Sequence, residues 1–318
     1  MTLVSADISK AIDILNKGEL VAIPTETVYG LAGNIFCETA IQKIFTTKKR
    51  PKFNPLIVHL HDVSQLEKFI DYIPKKAKQL ANAFWPGPLT LVLPKKNIIP
   101  DLVTAGKDTV AIRIPNHELT LELLKNLDFP LAAPSANPFG SISPTTAQHV
   151  KGYFDGQLEM VLDGGSCKAG IESTIIGFDS DEPIIYRLGS TSIEDIEKVV
   201  GKVKIQNRSE SKPVAPGMLS RHYAPSTPTF LVDNITEFVK QFPNESIGVL
   251  SLHPVEAYSN ITHQETLSLD GDLQEATSNL YAALHRLDTK NLDKIVCQKF
   301  PNKGLGISIN DRLQRATK

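Results

Sequence analysis

Leu20-Val21-Ala22-Ile23-Pro24-Thr25-Glu26-Thr27-Val28-Tyr29-Gly30-Leu31 is the stretch that decides what this chain is. Four apolar residues followed at once by proline describe a buried strand that stops, because proline has no N–H for a sheet ladder. The next residues are polar and rich in hydroxyls. Small hydrogen-bonding groups therefore collect at the mouth of a strand, where α/β proteins bind ligands. A strand end and a plain turn would also be written this way, but three further segments favour a site.

The first is Thr46-Thr47-Lys48-Lys49-Arg50-Pro51-Lys52-Phe53-Asn54-Pro55, a local cationic cluster before an apolar run at 56–60. Lysine offers a mobile point charge and arginine a planar fork that grips phosphate or carboxylate; a solvated basic face is the plainer alternative. The second is Leu131-Ala132-Ala133-Pro134-Ser135-Ala136-Asn137-Pro138, again an apolar strand running into small polar residues that let a ligand approach the backbone. The third is Ile142-Ser143-Pro144-Thr145-Thr146-Ala147, whose hydroxyls suit either a ligand or the cap of a helix starting near Ala147.

Periodicity extends this pattern along the chain. Ile8, Ala11, Ile12 and Leu15 recur at helical spacing, with Gly18 as a stop. Helices are expected at 40–45, 63–70, 75–84, 118–127 and 193–200, and strands at 20–23, 56–60, 89–93, 110–114, 131–133 and 160–162. An antiparallel pair is expected from 174–178 and 184–187. Intermingled strands and helices predict an α/β layer with an open, twisted, mixed sheet over 1–200. Residues 201–228 lack periodicity and read as a linker, although Met218, Leu219, His222 and Tyr223 suggest a segment that folds over something. Strands at 229–232, 247–252, 266–269 and 294–297, with helices at 235–242, 273–287 and 305–316, predict a smaller Rossmann-like, doubly wound domain over 229–318. Gly304-x-Gly306 is weighed as a turn, since there is no G-x-G-x-x-G.

Composition sets the outer bounds. The 318 residues are 41% hydrophobic and 22% charged, with a net charge of -1, which argues against a protein living mainly on nucleic-acid phosphates. Cys37, Cys167 and Cys297 are far apart and form no C-x-x-C pair, as in a reduced, cytosolic protein. There is no signal-peptide pattern and no apolar run of membrane-spanning length, so a cytoplasmic protein is expected.

Together the segment 24–31, Lys48-x-Arg50, Asn54-Pro55-Leu56, Trp85-Pro86-Gly87-Pro88-Leu89-Thr90, Ser135-x-Asn137 and Gly170-Ile171-Glu172-Ser173-Thr174 resemble the signature of YrdC-type proteins. Pro216-Gly217-Met218 and Arg221-His222-Tyr223-Ala224-Pro225 resemble the linker of the long, two-domain form. That family makes threonylcarbamoyl-AMP, the activated precursor of threonylcarbamoyladenosine in tRNA. The resemblance implies L-threonine, bicarbonate and ATP as substrates and Mg²⁺ brought by ATP. It also implies a downstream tRNA-modifying transferase as partner, with weak or no direct tRNA binding.

Carried over residue by residue, the resemblance puts Lys48 and Arg50 at the triphosphate as the catalytic pair. Asn54, Thr109, Ser135, Asn137, Ser143, Arg187 and Tyr223 join them around ATP, the tyrosine arriving from a linker laid across the site. Thr25, His59, Arg113, Ala133 and Ser173 would take threonine, with Arg113 on its carboxylate. Glu26 and Glu172 would bind Mg²⁺ indirectly or orient a neighbour; no dedicated metal ligands are expected. Two positions depart from the family: Tyr186-Arg187-Leu188-Gly189 replaces Leu-Arg-Pro-Gly, and Asp311-Arg312 replaces Asn-Arg.

No G-x-S-x-G or H-E-x-x-H appears, which suits a reaction that needs positioning and charge neutralisation rather than an enzyme nucleophile. Two other classes compete. A non-catalytic RNA-binding protein would call for a basic excess and aromatic-basic stripes, which are missing. A carbamoyl-transferring enzyme with another acceptor, as in hydrogenase maturation, usually comes with zinc-finger and acylphosphatase modules.

Overall fold

The structure, a computed structural model, describes residues 1–207, 215–218 and 222–317. Leu219 and Arg221 of the linker lie outside the described residues. The chain opens with β1 (Leu3–Ser5), α1 (Ile8–Asn16), β2 (Val21–Ile23), β3 (Gly30–Asn34), α2 (Glu38–Lys48) and β4 (Ile57–His59). A 3-10 turn at Val63–Gln65 leads into α3 (Leu66–Phe69), then α4 (Lys75–Phe84), β5 (Leu89–Pro94), α5 (Asp101–Thr104), β6 (Thr109–Arg113), α6 (Glu118–Lys125) and β7 (Leu131–Ala132). There follow α7 (Ala147–Phe154), β8 (Met160–Leu162), β9 (Thr174–Asp179), β10 (Glu182–Arg187), α8 (Ile193–Val200) and β11 (Lys204–Ile205). The remainder is β12 (Thr229–Val232), α9 (Ile235–Val239), β13 (Ile247–Ser251), β14 (Ile261–Thr266), α10 (Leu273–Asp288), β15 (Lys294–Gln298) and α11 (Leu305–Ala316).

Among the described residues, the first eleven strands form one mixed sheet in the order β1-β8-β2-β3-β7-β4-β6-β5-β9-β10-β11. Its centre pairs β4 with β6 in parallel and with β7 in antiparallel register. The strands are short, and those inside the sheet bury all or most of their residues up to β9: Val21–Ile23 and Ile57–His59 are buried throughout, and Pro24 ends the former. Helix starts follow capping chemistry. The Thr146 side chain accepts from His149 N at the start of α7, and Ser192 accepts from Asp195 N at the start of α8.

The last four strands form a second sheet, β12-β15-β13-β14, with every neighbouring pair parallel. Alternation assigns its faces. Val249 and Val296 pack with Ile235 and Val239 of α9, while Leu250, Ile295 and Cys297 pack with α10 and α11. Helices thus cover both faces, although 252–260 joins β13 to β14 without one. The cluster containing Leu280, Leu284 and Leu313 also takes in Val28, Ile142, Ile171 and Tyr223, so one apolar cluster joins the second sheet and its helices to loops of the first unit.

Several expectations need correction. The strand expected at 266–269 is β14 at Ile261–Thr266: a polar edge strand with alternating exposure hides better than the apolar Leu267 and Leu269 beyond it. β1, β3, α5 and β11 were not foreseen. β3 contains Gly30 and Gly33, residues poor in strand propensity. Lys204–Ile205, within the expected linker, pairs with Ile184–Ile185 as the sheet's edge. No helix among the described residues is long and apolar enough to cross a membrane.

Candidate active site

The ends of β2, β4, β6, β7 and β10 and the linker meet around one cavity, lined among others by Thr25, Arg50, His59, Arg113, Ala133, Ser135, Ser173, Arg187 and Tyr223. It lies over a face of the sheet as well as beyond a strand end. Ile57 and His59 alternate onto this face, while Val58 turns into the main core. The cavity measures about 50 Å³, far below the roughly 300–1,000 Å³ of ordinary ligand sites. Pro216, Gly217, His222 and Tyr223 of the linker close it. Ala215 and Met218 are buried against Ile57, Val92, Ala111 and Ile175.

Three guanidinium groups converge there. Arg113 donates from Nη1 to Thr27 Oγ1 at 2.8 Å and from Nε to Gly87 O at 3.2 Å, and its Nη2 is 2.6 Å from Glu26 Oε2. That last contact is an ion pair without hydrogen-bond geometry, which leaves both Glu26 oxygens and Arg113 Nη2 unsatisfied. Among the described residues Arg50 donates only to backbone, Nε to Asn54 O at 3.2 Å and Nη2 to Pro55 O at 2.8 Å. Arg187 donates to Ser173 O and Ser173 Oγ, both at 3.0 Å. No ion pair engages Arg50 or Arg187 among the described residues. Burial, then Arg187, pushes the Arg50 guanidinium down to about 9, and burial also lowers Arg187. Two buried cations with no ion-pair partner among the described residues form a site that favours an anion.

His59 is neutral: burial first, then Arg113, depresses its pKa to about 3. Its Nδ1 lies 3.2 Å from Ile57 O. With Nδ1 as the donor, Nε2 is left as an acceptor. Thr25 Oγ1 donates to Val28 O at 2.7 Å and accepts from Thr27 N and Val28 N, folding the Thr-Glu-Thr stretch into a hydroxyl-anchored turn. Ser173 Oγ is 2.7 Å from Thr90 Oγ1.

Five expected residues sit elsewhere. Lys48, expected at the triphosphate, is fully buried and donates Nζ to Ser135 O and Asn137 O, each at 2.5 Å. It braces the loop after β7 instead of lining the cavity. Asn54 supports Arg50 through its carbonyl. Asn137 donates Nδ2 to Pro138 O and Ser141 O, pinning its own loop. Ser143 donates Oγ to Glu172 Oε1 at 2.6 Å and so acts on the cavity through that carboxylate. Thr109 starts β6, whose end carries Arg113, and lines a separate cavity with Pro94, Phe178 and Tyr186. The carry-over missed Thr27, Gly30, Gly217 and His222, which do line the site. Thr27 and Gly30 lie in the stretch at 24–31, and Gly217 and His222 in the linker motifs, but none of the four was singled out as a site residue.

An α/β protein with a buried, arginine-lined cavity closed by its own linker is the class these features define. The chain belongs to the Sua5/YciO/YrdC family, whose model, described as telomere recombination, matches residues 13–189. A second model, described as the threonylcarbamoyl-AMP synthase C-terminal domain, matches residues 191–317. The threonylcarbamoyl-AMP synthase of Pyrococcus abyssi is 41% identical over 96% of this chain and 93% of its own length. That of Bacillus subtilis is 39% identical over 97% and 92%. The crystal structure of P. abyssi Sua5 complexed with L-threonine superimposes with a TM-score of 0.92 at 37% identity, covering 99% of this chain and 98% of that one.

Proposed function

We propose that this chain is an L-threonylcarbamoyladenylate synthase, converting L-threonine, bicarbonate and ATP to threonylcarbamoyl-AMP and pyrophosphate for tRNA modification. The observation that carries this reading is the meeting of Arg50 and Arg187, buried with no ion-pair partner among the described residues, with Arg113 in one linker-closed cavity. Its support in kinship is full-length similarity to proteins named for that activity.

The threonine amine takes up bicarbonate with loss of water, giving a carbamate. A carbamate oxygen attacks the α-phosphorus of ATP and pyrophosphate leaves with its bonding electrons. Arg113 takes the threonine carboxylate, which replaces Glu26 at Nη2. His59, held neutral, accepts a hydrogen bond from the substrate. Arg50 and Arg187 neutralise the phosphates, and Tyr223 packs on the nucleoside. Lys48, Asn54, Asn137 and Ser143 hold the walls in place. The Mg²⁺ that accompanies ATP would be held by phosphate oxygens and water, since Glu172 is already engaged by Arg312.

Residues 1–200 form the catalytic unit, 201–228 the closing linker and 229–318 a docked α/β unit, in a cytoplasmic protein that passes its product to a transferase. Incubation with ¹³C-bicarbonate, threonine and ATP should give an AMP adduct carrying one ¹³C by mass spectrometry. An unlabelled threonyl-AMP would refute the carbamoylation.

A further inference from the structure

Glu172 lines the cavity, yet it is held mainly from the C-terminal part of the chain. Its Oε1 accepts from Ser143 Oγ at 2.6 Å. The Tyr281 hydroxyl of α10 lies 3.0 Å from Oε2, and Arg312 Nε of α11 donates to Oε2 at 2.8 Å. The other two nitrogens of Arg312 are also engaged: Nη1 donates to Asp311 Oδ2 at 2.9 Å and Nη2 to Leu188 O at 2.6 Å. Its guanidinium also lies 4.8 Å over the ring of Tyr223, which stacks on Tyr281 at 5.8 Å. Behind it, Arg315 donates to both Asp311 oxygens, and the Arg315 carbonyl accepts from His222 N at 3.1 Å. One helix therefore holds a cavity carboxylate, a cavity ring and the linker backbone.

We propose that Arg312 is a positioning residue of the nucleotide site, fixing the Glu172 carboxylate and the Tyr223 ring, so that α11 completes the cavity. This rests on the synthase reading above. A guanidinium reaches three acceptors in three directions and stacks on an aromatic face at once, which an ammonium does not. A buried carboxylate without its cation takes up a proton, and Ser143 then loses its acceptor. The groups facing Glu172 are Arg312 and Tyr281 from the C-terminal helices, Arg187 from β10, Tyr223 and His222 from the linker, and Ser143. Burial alone would raise this carboxyl; Arg312 and Arg187 outweigh it and hold it down at about 2.

The test uses the full chain and two readouts, ATP binding by calorimetry without threonine and steady-state kinetics between about pH 5.5 and 8.5. Arg312→Met should weaken ATP binding roughly 10- to 100-fold, leave the KM for threonine nearly unchanged, and bring an acid limb into the pH profile. Arg312→Lys should recover little. Tyr281→Phe, which removes one hydroxyl, should shift the same parameters less. Arg286→Gln, which breaks an exposed ion pair with Glu265, should change neither. If Arg312→Met does not fold, the milder Arg312→Lys and Tyr281→Phe decide. The proposal is overturned if both fold with wild-type melting, bind ATP as the wild type does and keep its pH profile. If the wild type binds ATP but shows no threonine-dependent turnover, the synthase reading fails instead, and the binding comparison still decides the role of Arg312.

Discussion

Glu26 and Arg113 are buried within 2.6 Å of each other, yet neither is satisfied by that contact. A carboxylate from outside could form the two parallel bonds that Glu26 does not. Arg113→Ala should raise the KM for threonine on the order of 100-fold, about 3 kcal/mol of charge-assisted hydrogen bonding, while changing the KM for ATP little. An unchanged threonine KM would remove Arg113 from the site. The histidines give a second prediction at this scale. Burial depresses His59 and His222 to about 3, below the unfolded value of about 6.5. The unfolded chain therefore binds their protons first as pH falls. Their contribution to stability is complete above about pH 6.5 and is progressively lost toward pH 3. The melting temperature should fall steadily from neutral pH to about pH 4, and His59→Gln should flatten the slope; an unaltered slope would count against a buried neutral imidazole.

Individual elements depended on neighbours to different degrees. Helix α4 and helix α11 were legible to the residue, because each carries its own periodicity, and Pro86-Gly87-Pro88 stops the first. β3 and β14 were not, since glycines and alternating polar residues become strands only when a neighbour supplies the ladder. The same limit applies to Lys48: a cationic run announces charge but not direction, and only the packed loop after β7 shows that the ammonium faces carbonyls. Lys48→Met should therefore lower the melting temperature as well as activity, whereas a pure phosphate ligand would lose activity alone. In the linker, Gly217 adopts φ +83°, and a Cβ there would meet Arg187 Cδ at 2.6 Å and the Tyr223 hydroxyl oxygen at 3.1 Å. Gly217→Ala should thus cost ATP affinity at least ~10-fold by displacing both groups, with the rest of the fold intact. Equal affinity in both proteins would mean that the linker does not shape the nucleotide site.

On the scale of the molecule, one apolar cluster joins the second sheet and its helices to loops of the first unit, and α10 lies directly against the loop before Glu172. Gly170, at φ +75°, has no room for a side chain: a Cβ would stand 2.4 Å from Ser278 O. Gly170→Ala should loosen this docking, seen as faster hydrogen exchange in α10 and lower catalytic efficiency together; lost exchange protection without lost activity would make the C-terminal unit a passenger. This scale was the least legible. Local motifs pointed to nine of the cavity's lining residues, but nothing local in Arg312 or Tyr281 announces a partner 140 or 109 residues away. The central claim is best tested by pyrophosphate release from the purified chain with ATP and Mg²⁺, with threonine and bicarbonate added separately and together. The account predicts release only when both are present. Release without threonine, or none at all from a folded protein that binds ATP, would contradict it.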